Sequence, residues 1–182
     1  KSLAPLLTKN FYSYTHPDFP FVNHHFASGV IFYTLWNAGG PLALQLFFIL
    51  LSLATLLLCV RIGSSRAPLW LVGAITFFLV PLIAERRDIR PEMFTYLLAA
   101  FFLWLLRRYR EHPEKPLCLI ALPIIMIGWV NLHIYFIFGL GLIGLFFLDA
   151  LWRERGLGPT SKVLSAVLLS CVGATLVNPS GV

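Results

Sequence analysis

Long apolar runs separated by short polar segments dominate the sequence. The hydrocarbon core of a bilayer is about 30 Å thick, which a helix of about 20 apolar residues crosses. Residues 42–62 meet that length, and Gln45 is the main polar side chain within them. Further apolar runs of similar or slightly shorter length follow. Two of them, 68–84 and 91–107, begin with a proline. The pattern predicts transmembrane spans over 42–62, 68–84, 91–107 and 162–177.

One apolar run is too long for a single span. Residues 116–151 stay apolar for 36 residues, which as one helix would measure roughly 54 Å. That length exceeds the bilayer core, so the run must break. The polar interruption lies at Trp129-Val130-Asn131-Leu132-His133. We therefore predict two spans, 117–131 and 134–152, joined by almost no loop.

The N-terminal segment follows a different pattern. Residues 1–40 are aromatic and polar, and 24–38 are too few and too polar at one end to cross a bilayer. We predict a loop with an interfacial helix, ended by Gly39-Gly40-Pro41. The fold class is then an all-α membrane protein, a multi-span transmembrane helical bundle forming one domain over 1–182. Because the chain begins at Lys1 and stops after the turn-like sequence 178–181, we expect a fragment of a longer protein.

Composition excludes two classes of protein. Apolar residues make up 58% of the 182 residues and charged residues 12%, about half the usual charged share. A soluble domain of this size has too little interior to hide that much apolar surface. The net charge of +6 does not indicate nucleic-acid binding, because the basic residues occur in short clusters between apolar runs. Cys59, Cys118 and Cys171 lie in apolar stretches, and we predict all three to be buried.

Lysine and arginine predict the orientation. The connections 61–67, 107–115 and 152–162 hold nine of these residues, whereas the other side holds five. Cytoplasmic connections are enriched in Lys and Arg, so the first group is predicted to be cytoplasmic. The N-terminal loop, the 85–90 turn, the 129–133 break and Asn178 would then share the outer face of a multi-pass protein of the bacterial inner membrane.

The 85–92 segment packs six charges into eight residues and admits two interpretations. It is either a solvated turn that pairs its own charges or an anion site. For the anion site, Arg86 and Arg90 are four residues apart and would share a helical face, with Arg87 nearby. Arginine binds phosphate through two parallel hydrogen bonds. Glu92 would lie favourably at the positive end of the helix that Pro91 begins.

The polar break and the histidine pair are the other candidates for chemistry. The break is either a plain surface turn, with Trp129 anchored at the membrane interface, or a cavity lining into which Asn131 and His133 point. His24 and His25 could suggest a metal site, in which case a divalent metal ion would be the cofactor. Adjacent side chains do not converge on a helix, however, so the spacing does not support a metal and we assign no cofactor.

Several of these segments together carry a family resemblance. The strings SYTHPDFPFVNHHFASGVIFY, RPEMFTYLLAAFFLWLL and WVNLHIYFIFGLGL, followed by NPSG, occur in this order over nearly the whole chain. They resemble a group of bacterial membrane proteins regarded as GT-C-like glycosyltransferases, relatives of the dolichyl- and undecaprenyl-phosphate-sugar transferases. The resemblance implies membrane-lipid contacts and a polyprenyl-phosphate-linked sugar as donor at the extracytoplasmic face.

The resemblance also implies a catalytic carboxylate, and here the chain departs from the pattern. Relatives often have Asp where this chain has Asn10, and Glu where it has His25. Asp18 is the nearest remaining carboxylate in the loop, and His24 and His25 are the other catalytic candidates. The phosphate-binding candidates are Arg86, Arg87, Arg90, Glu92, Asn131 and His133. The alternative is a membrane protein that binds or exports a lipid-linked glycan without transferring it.

Overall fold

The computed structural model describes residues 14–16, 18–19, 22–84 and 88–179. Helix accounts for 81% of these residues, and none of them is in a strand. The all-α class predicted from the apolar runs is therefore correct. Six α-helices follow one another in the described residues: α1 Phe26–Ser64, α2 Leu69–Ala84, α3 Glu92–Glu111, α4 Ala121–Leu132, α5 Ile137–Glu154 and α6 Pro159–Thr175.

Helix α1 contains the break predicted at the glycine pair. Gly39 (φ −160°, ψ 20°) and Gly40 (φ 59°, ψ −147°) leave helical geometry, and Pro41 follows directly. Glycine tolerates the positive φ at position 40, where a side chain would be strained. The proline ring then starts a new helical stretch at low cost, since a first-turn N–H has no partner to lose. The segment before the break is helical from Phe26, in line with the helix expected over 24–38.

The core lies between α3, α4, α5 and α6. Phe102 and Trp129 pack edge to face at its centre, with ring centroids 5.1 Å apart, and both are fully buried. Gly139 of α5 lies against them: an added Cβ would stand 2.7 Å from a ring carbon of Trp129. The absence of a side chain thus permits the close approach of α5 to α4. Cys171 is buried in this core, whereas Cys59 is exposed on α1, so the prediction that all three cysteines are buried is wrong.

The long apolar run breaks at His133. Two short 3₁₀ helices, Pro116–Ile120 and Ile134–Phe136, flank α4. His133 itself has extended backbone (φ −162°, ψ 144°), and its side chain is 8% exposed. The predicted separation into segments near 117–131 and 134–152 is present, with one extended residue between them. Trp129 is buried rather than at the surface, which rules out its role as an interface anchor.

In the part of the chain that the structure describes, two helices are long and apolar enough to cross a bilayer, judged by length and composition. They are Phe26–Ser64 and the run Ile134–Glu154, with peak hydropathies of 2.5 and 2.2. Leu69–Pro81, Pro116–Leu132 and Pro159–Thr175 are apolar but shorter. The prediction of six spans therefore stays a prediction beyond these two candidates.

Candidate functional site

Two asparagines tie together segments that are remote in sequence. The Asn178 amide donates to the carbonyl of Val130 at 3.0 Å and to that of His24 at 3.2 Å. The Asn131 amide donates to the carbonyl of Val177 at 2.7 Å. A side-chain amide offers two donors and can therefore bridge two backbone carbonyls left without partners where helices end. The N-terminal histidine pair, the break after α4 and the C-terminal turn consequently meet at one end of the bundle.

A buried hydrogen-bond chain crosses from α4 to α3 beside these asparagines. Trp129 Nε1 donates to Thr95 Oγ1 at 3.2 Å, and Thr95 Oγ1 lies 3.2 Å from His133 Nδ1. All three side chains are buried. The Thr95 oxygen accepts from the indole N–H, and the same hydroxyl is hydrogen-bonded to the imidazole, so it joins the two rings. The chain thus holds the ring of His133 in one orientation.

The imidazole of His25 stacks on that of His133. Their ring centroids are 5.5 Å apart at an interplanar angle of 29°, and His24 lies edge-on to His25 at 4.2 Å. Nδ1 of His25 is buried and has no hydrogen-bond partner among the described residues. A buried polar atom without a partner costs about 1–3 kcal/mol. Such an atom is the feature of this cluster that calls for a hydrogen-bonding ligand.

Burial keeps both imidazoles neutral. Desolvation, reinforced by the neighbouring rings of His24 and His133, lowers the pKa of His25 to about 4. Desolvation also lowers the pKa of His133, against the opposing effect of the Glu92 carboxylate. A neutral imidazole offers one donor and one acceptor. The cluster can therefore hydrogen-bond hydroxyl groups at neutral pH, but His25 is too weak a base to hold a proton there.

The remaining predicted site residues lie around the cluster or outside the described residues. Arg86 and Arg87 fall outside them. Arg90 donates to Asp88 at 3.0 Å, with both side chains more than half exposed. This ion pair agrees with the interpretation of the segment as a solvated turn that pairs its own charges. Asp18 is exposed in a turn, and Glu92 is the half-buried first residue of α3. In the part of the chain that the structure describes, no three His, Cys, Asp or Glu side chains are placed to share a metal ion.

Sequence reasoning missed Thr95, and of its two alternatives for the 129–133 break, the burial of Trp129 counts against the surface turn. Thr95 lies within an apolar run, one turn after Glu92, and periodicity alone gave no reason to single it out. A polar side chain on the buried face of an otherwise apolar helix was the available signal. No protein-family model, curated protein or solved structure matches this chain significantly.

Proposed function

We propose that this protein is an integral membrane protein with a multi-span helical bundle in the bacterial inner membrane. The most apolar 18-residue window of α1 has none of its residues buried, and that of Ile134–Glu154 has 17%. The core helix of a soluble protein would bury such a window against its neighbours. Here the apolar faces point outward, so a bilayer is the solvent that matches them.

The exposed face of α2 supports the same proposal. Leu69, Trp70, Phe77 and Phe78 are each 69–74% exposed. Side chains of this size are seldom left in water as a contiguous group in a soluble monomer. At about 25 cal/mol per Å² of apolar surface, four such side chains would disfavour exposure to water by several kcal/mol. The adjoining apolar helices would complete a bundle of more than two spans.

We infer that the site between His25 and His133 binds the polar end of a polyprenyl-phosphate-linked sugar, and that the sugar is transferred to an acceptor hydroxyl. The observation that carries this inference is the unpartnered Nδ1 of His25, buried against the oriented ring of His133. The cluster offers uncharged donors and acceptors, which suit sugar hydroxyls. Its place at one end of the bundle suits a substrate whose long apolar chain lies in the bilayer.

In the proposed reaction the acceptor hydroxyl oxygen attacks the anomeric carbon of the donor. The bond between that carbon and the phosphate oxygen breaks, and polyprenyl phosphate leaves with the electron pair. The hydroxyl proton passes to a carboxylate, Asp18 or Glu92, acting as general base. Arg86, Arg87 and Arg90 would stabilise the charge that grows on the leaving phosphate.

Binding of a lipid-linked glycan without transfer is the second candidate function. It is favoured by the Arg90–Asp88 ion pair, since an arginine held by a carboxylate is less available to a leaving phosphate. The low pKa of His25 points the same way, because a neutral imidazole of that kind binds hydroxyls but does not take up their proton.

A binding and turnover experiment separates the two. Purified full-length protein is titrated with polyprenyl-phosphate mannose, and release of polyprenyl phosphate is followed with a polyprenol acceptor. His25→Gln should weaken binding by roughly tenfold, the loss of one buried hydrogen bond. His112→Gln is the matched control, since His112 is exposed and pairs with Glu114 on another loop. Binding without release supports the second function, and equal binding by His25→Gln and wild type rejects the site altogether.

A further inference from the structure

A basic cleft lies at the end of α3 opposite to Thr95. It encloses about 570 Å³ between the C-terminal ends of α1 and α3. Four basic side chains line it, against the single carboxylate of Glu111. The basic residues are Arg61, Arg107, Arg108 and Lys115.

Of these four basic side chains, one is structural and three are available to a ligand. Arg107 donates to the carbonyl of Ile62 at 3.1 Å and to Ser65 Oγ at 3.0 Å, so it holds α3 to the end of α1. Arg61, Arg108 and Lys115 form no ion pair with any carboxylate that the structure describes. Glu111 does not neutralise them, because it pairs with Arg66 at 3.1 Å.

The backbone at this end works against an anion, so the side chains must supply the attraction. Each helix C-terminus carries a partial charge of about −0.5. Two such ends contribute roughly one negative charge, part of which Arg107 offsets by capping the Ile62 carbonyl. The unpaired side chains contribute three full positive charges. The cleft is therefore net positive, and an anionic ligand is the one it attracts.

Trp104 and Leu57 indicate that this anion is attached to an acyl chain. The guanidinium of Arg108 lies 5.6 Å from the centre of the Trp104 ring, the mixed polar and apolar contact found at membrane interfaces. Leu57 is one helical turn before Arg61 on the same face of α1, and its side chain is 68% exposed. An apolar surface thus runs from the cleft along α1. A free phosphate ion would leave that surface unused.

We propose that this cleft binds the phosphate head group of an anionic phospholipid in the leaflet next to it, which the Lys/Arg distribution predicts to be cytoplasmic. Arg61 and Lys115 hold the phosphate, and Arg108, stacked on Trp104, orients it. The acyl chains follow α1 past Leu57. This site depends on the membrane location proposed above but not on the sugar chemistry, which lies at the other end of α3.

The test uses full-length protein in dodecyl maltoside, titrated with dioleoylphosphatidylglycerol and, separately, with dioleoylphosphatidylcholine or inorganic phosphate. Bound lipid is counted by native mass spectrometry. A charge near an anionic lipid surface contributes about fivefold in affinity. Arg61→Gln with Arg108→Gln should therefore lose roughly 25-fold for phosphatidylglycerol, and the exposed Lys115→Gln about fivefold. Arg155→Gln, which removes a charge outside the cleft, should match wild type.

Paired Arg→Lys replacements at positions 61 and 108 should restore part of the affinity, because they keep the charge but not the planar fork. Rising salt should weaken phosphatidylglycerol binding in wild type more than in the double Gln variant. The proposal is overturned if phosphatidylcholine binds as tightly as phosphatidylglycerol, if inorganic phosphate competes at equal concentration, or if the Lys115→Gln variant binds like wild type. None of these results bears on the titration with polyprenyl-phosphate mannose.

Discussion

Replacing Thr95 by valine should uncouple the two helices that orient His133. Valine keeps the shape and the β-branching of threonine but removes the hydroxyl that links Trp129 Nε1 to His133 Nδ1. Hydrogen bonds between helices in a bilayer contribute about 0.6–1.7 kcal/mol each. Two lost bonds, with both partners buried, give an expected destabilisation of about 1–3 kcal/mol. The polyprenyl-phosphate mannose affinity should fall as well, because the His133 ring is no longer held in one orientation.

Thr55→Val is the matched control. The Thr55 hydroxyl donates only to the Leu51 carbonyl of its own helix, at 2.9 Å, and that carbonyl lies within a continuous helical segment. Its loss should cost less than about 0.5 kcal/mol. Unfolding in mixed detergent micelles, followed by tryptophan fluorescence, measures both variants. The ¹⁵N shifts of the His133 ring report the tautomer. Equal stability of the two variants, with unchanged ring shifts in Thr95→Val, would show that the hydroxyl does not support the site.

The remaining predictions concern packing, titration and orientation. Gly139→Ala should destabilise the bundle by about 1–3 kcal/mol through overpacking, since its Cβ would clash with Trp129, whereas Gly141→Ala, with open space around its Cβ, should be near neutral in the same unfolding assay. The lowered pKa of His25 means that the unfolded chain binds more protons between pH 6.5 and 4. Stability should thus fall by about 1–2 kcal/mol as pH drops through that window, a figure reduced for partial solvent screening, and His25→Gln should flatten the pH profile. In intact cells, a cysteine at Ser13 should react with an impermeant thiol reagent and one at Ser64 should not, in a background lacking native cysteines.

Each of these has a clear contrary result. Gly139→Ala and Gly141→Ala variants of equal stability would contradict the close approach of α5 to α4. A pH profile of unfolding that is the same with and without His25 would mean that this imidazole titrates freely in the folded protein. Labelling of the Ser64 position but not the Ser13 position would reverse the orientation, and with it the leaflet assigned to the basic cleft.

The two breaks between helical segments could be predicted from the sequence alone. The break at His133 was predictable because no single helix of 36 apolar residues fits a bilayer, and 129–133 was the polar interruption within it. The break at Gly39-Gly40-Pro41 was predictable because glycine is unfavourable inside a helix and proline suits a first helical turn.

Contacts between distant segments could not be predicted in the same way. The Asn178 side chain donates to the carbonyl of His24, which lies 154 residues away in the sequence. The sequence around either residue does not predict this contact. The burial of Trp129 depends on Gly139 and Phe102 on neighbouring helices, whereas its place beside a polar break suggested the surface. Orientation, multi-span topology and the roles of the phosphate-binding arginines stay predictions.

The electrostatics of the histidine cluster constrain how the proposed substrate must be recognised. Two imidazolium charges 5.5 Å apart would repel by about 3 kcal/mol at an effective dielectric constant near 20, and burial adds to that cost. His25 and His133 therefore cannot both serve as cations for a phosphate. They suit the uncharged hydroxyls of a sugar, and in the proposed function the phosphate binds to the arginines at 86–90. Since Arg90 already holds Asp88, a bound phosphate must either displace that carboxylate or rely on Arg86 and Arg87. The proposed division assigns the sugar to the histidine cluster and the phosphate to the arginines that precede α3 in the sequence.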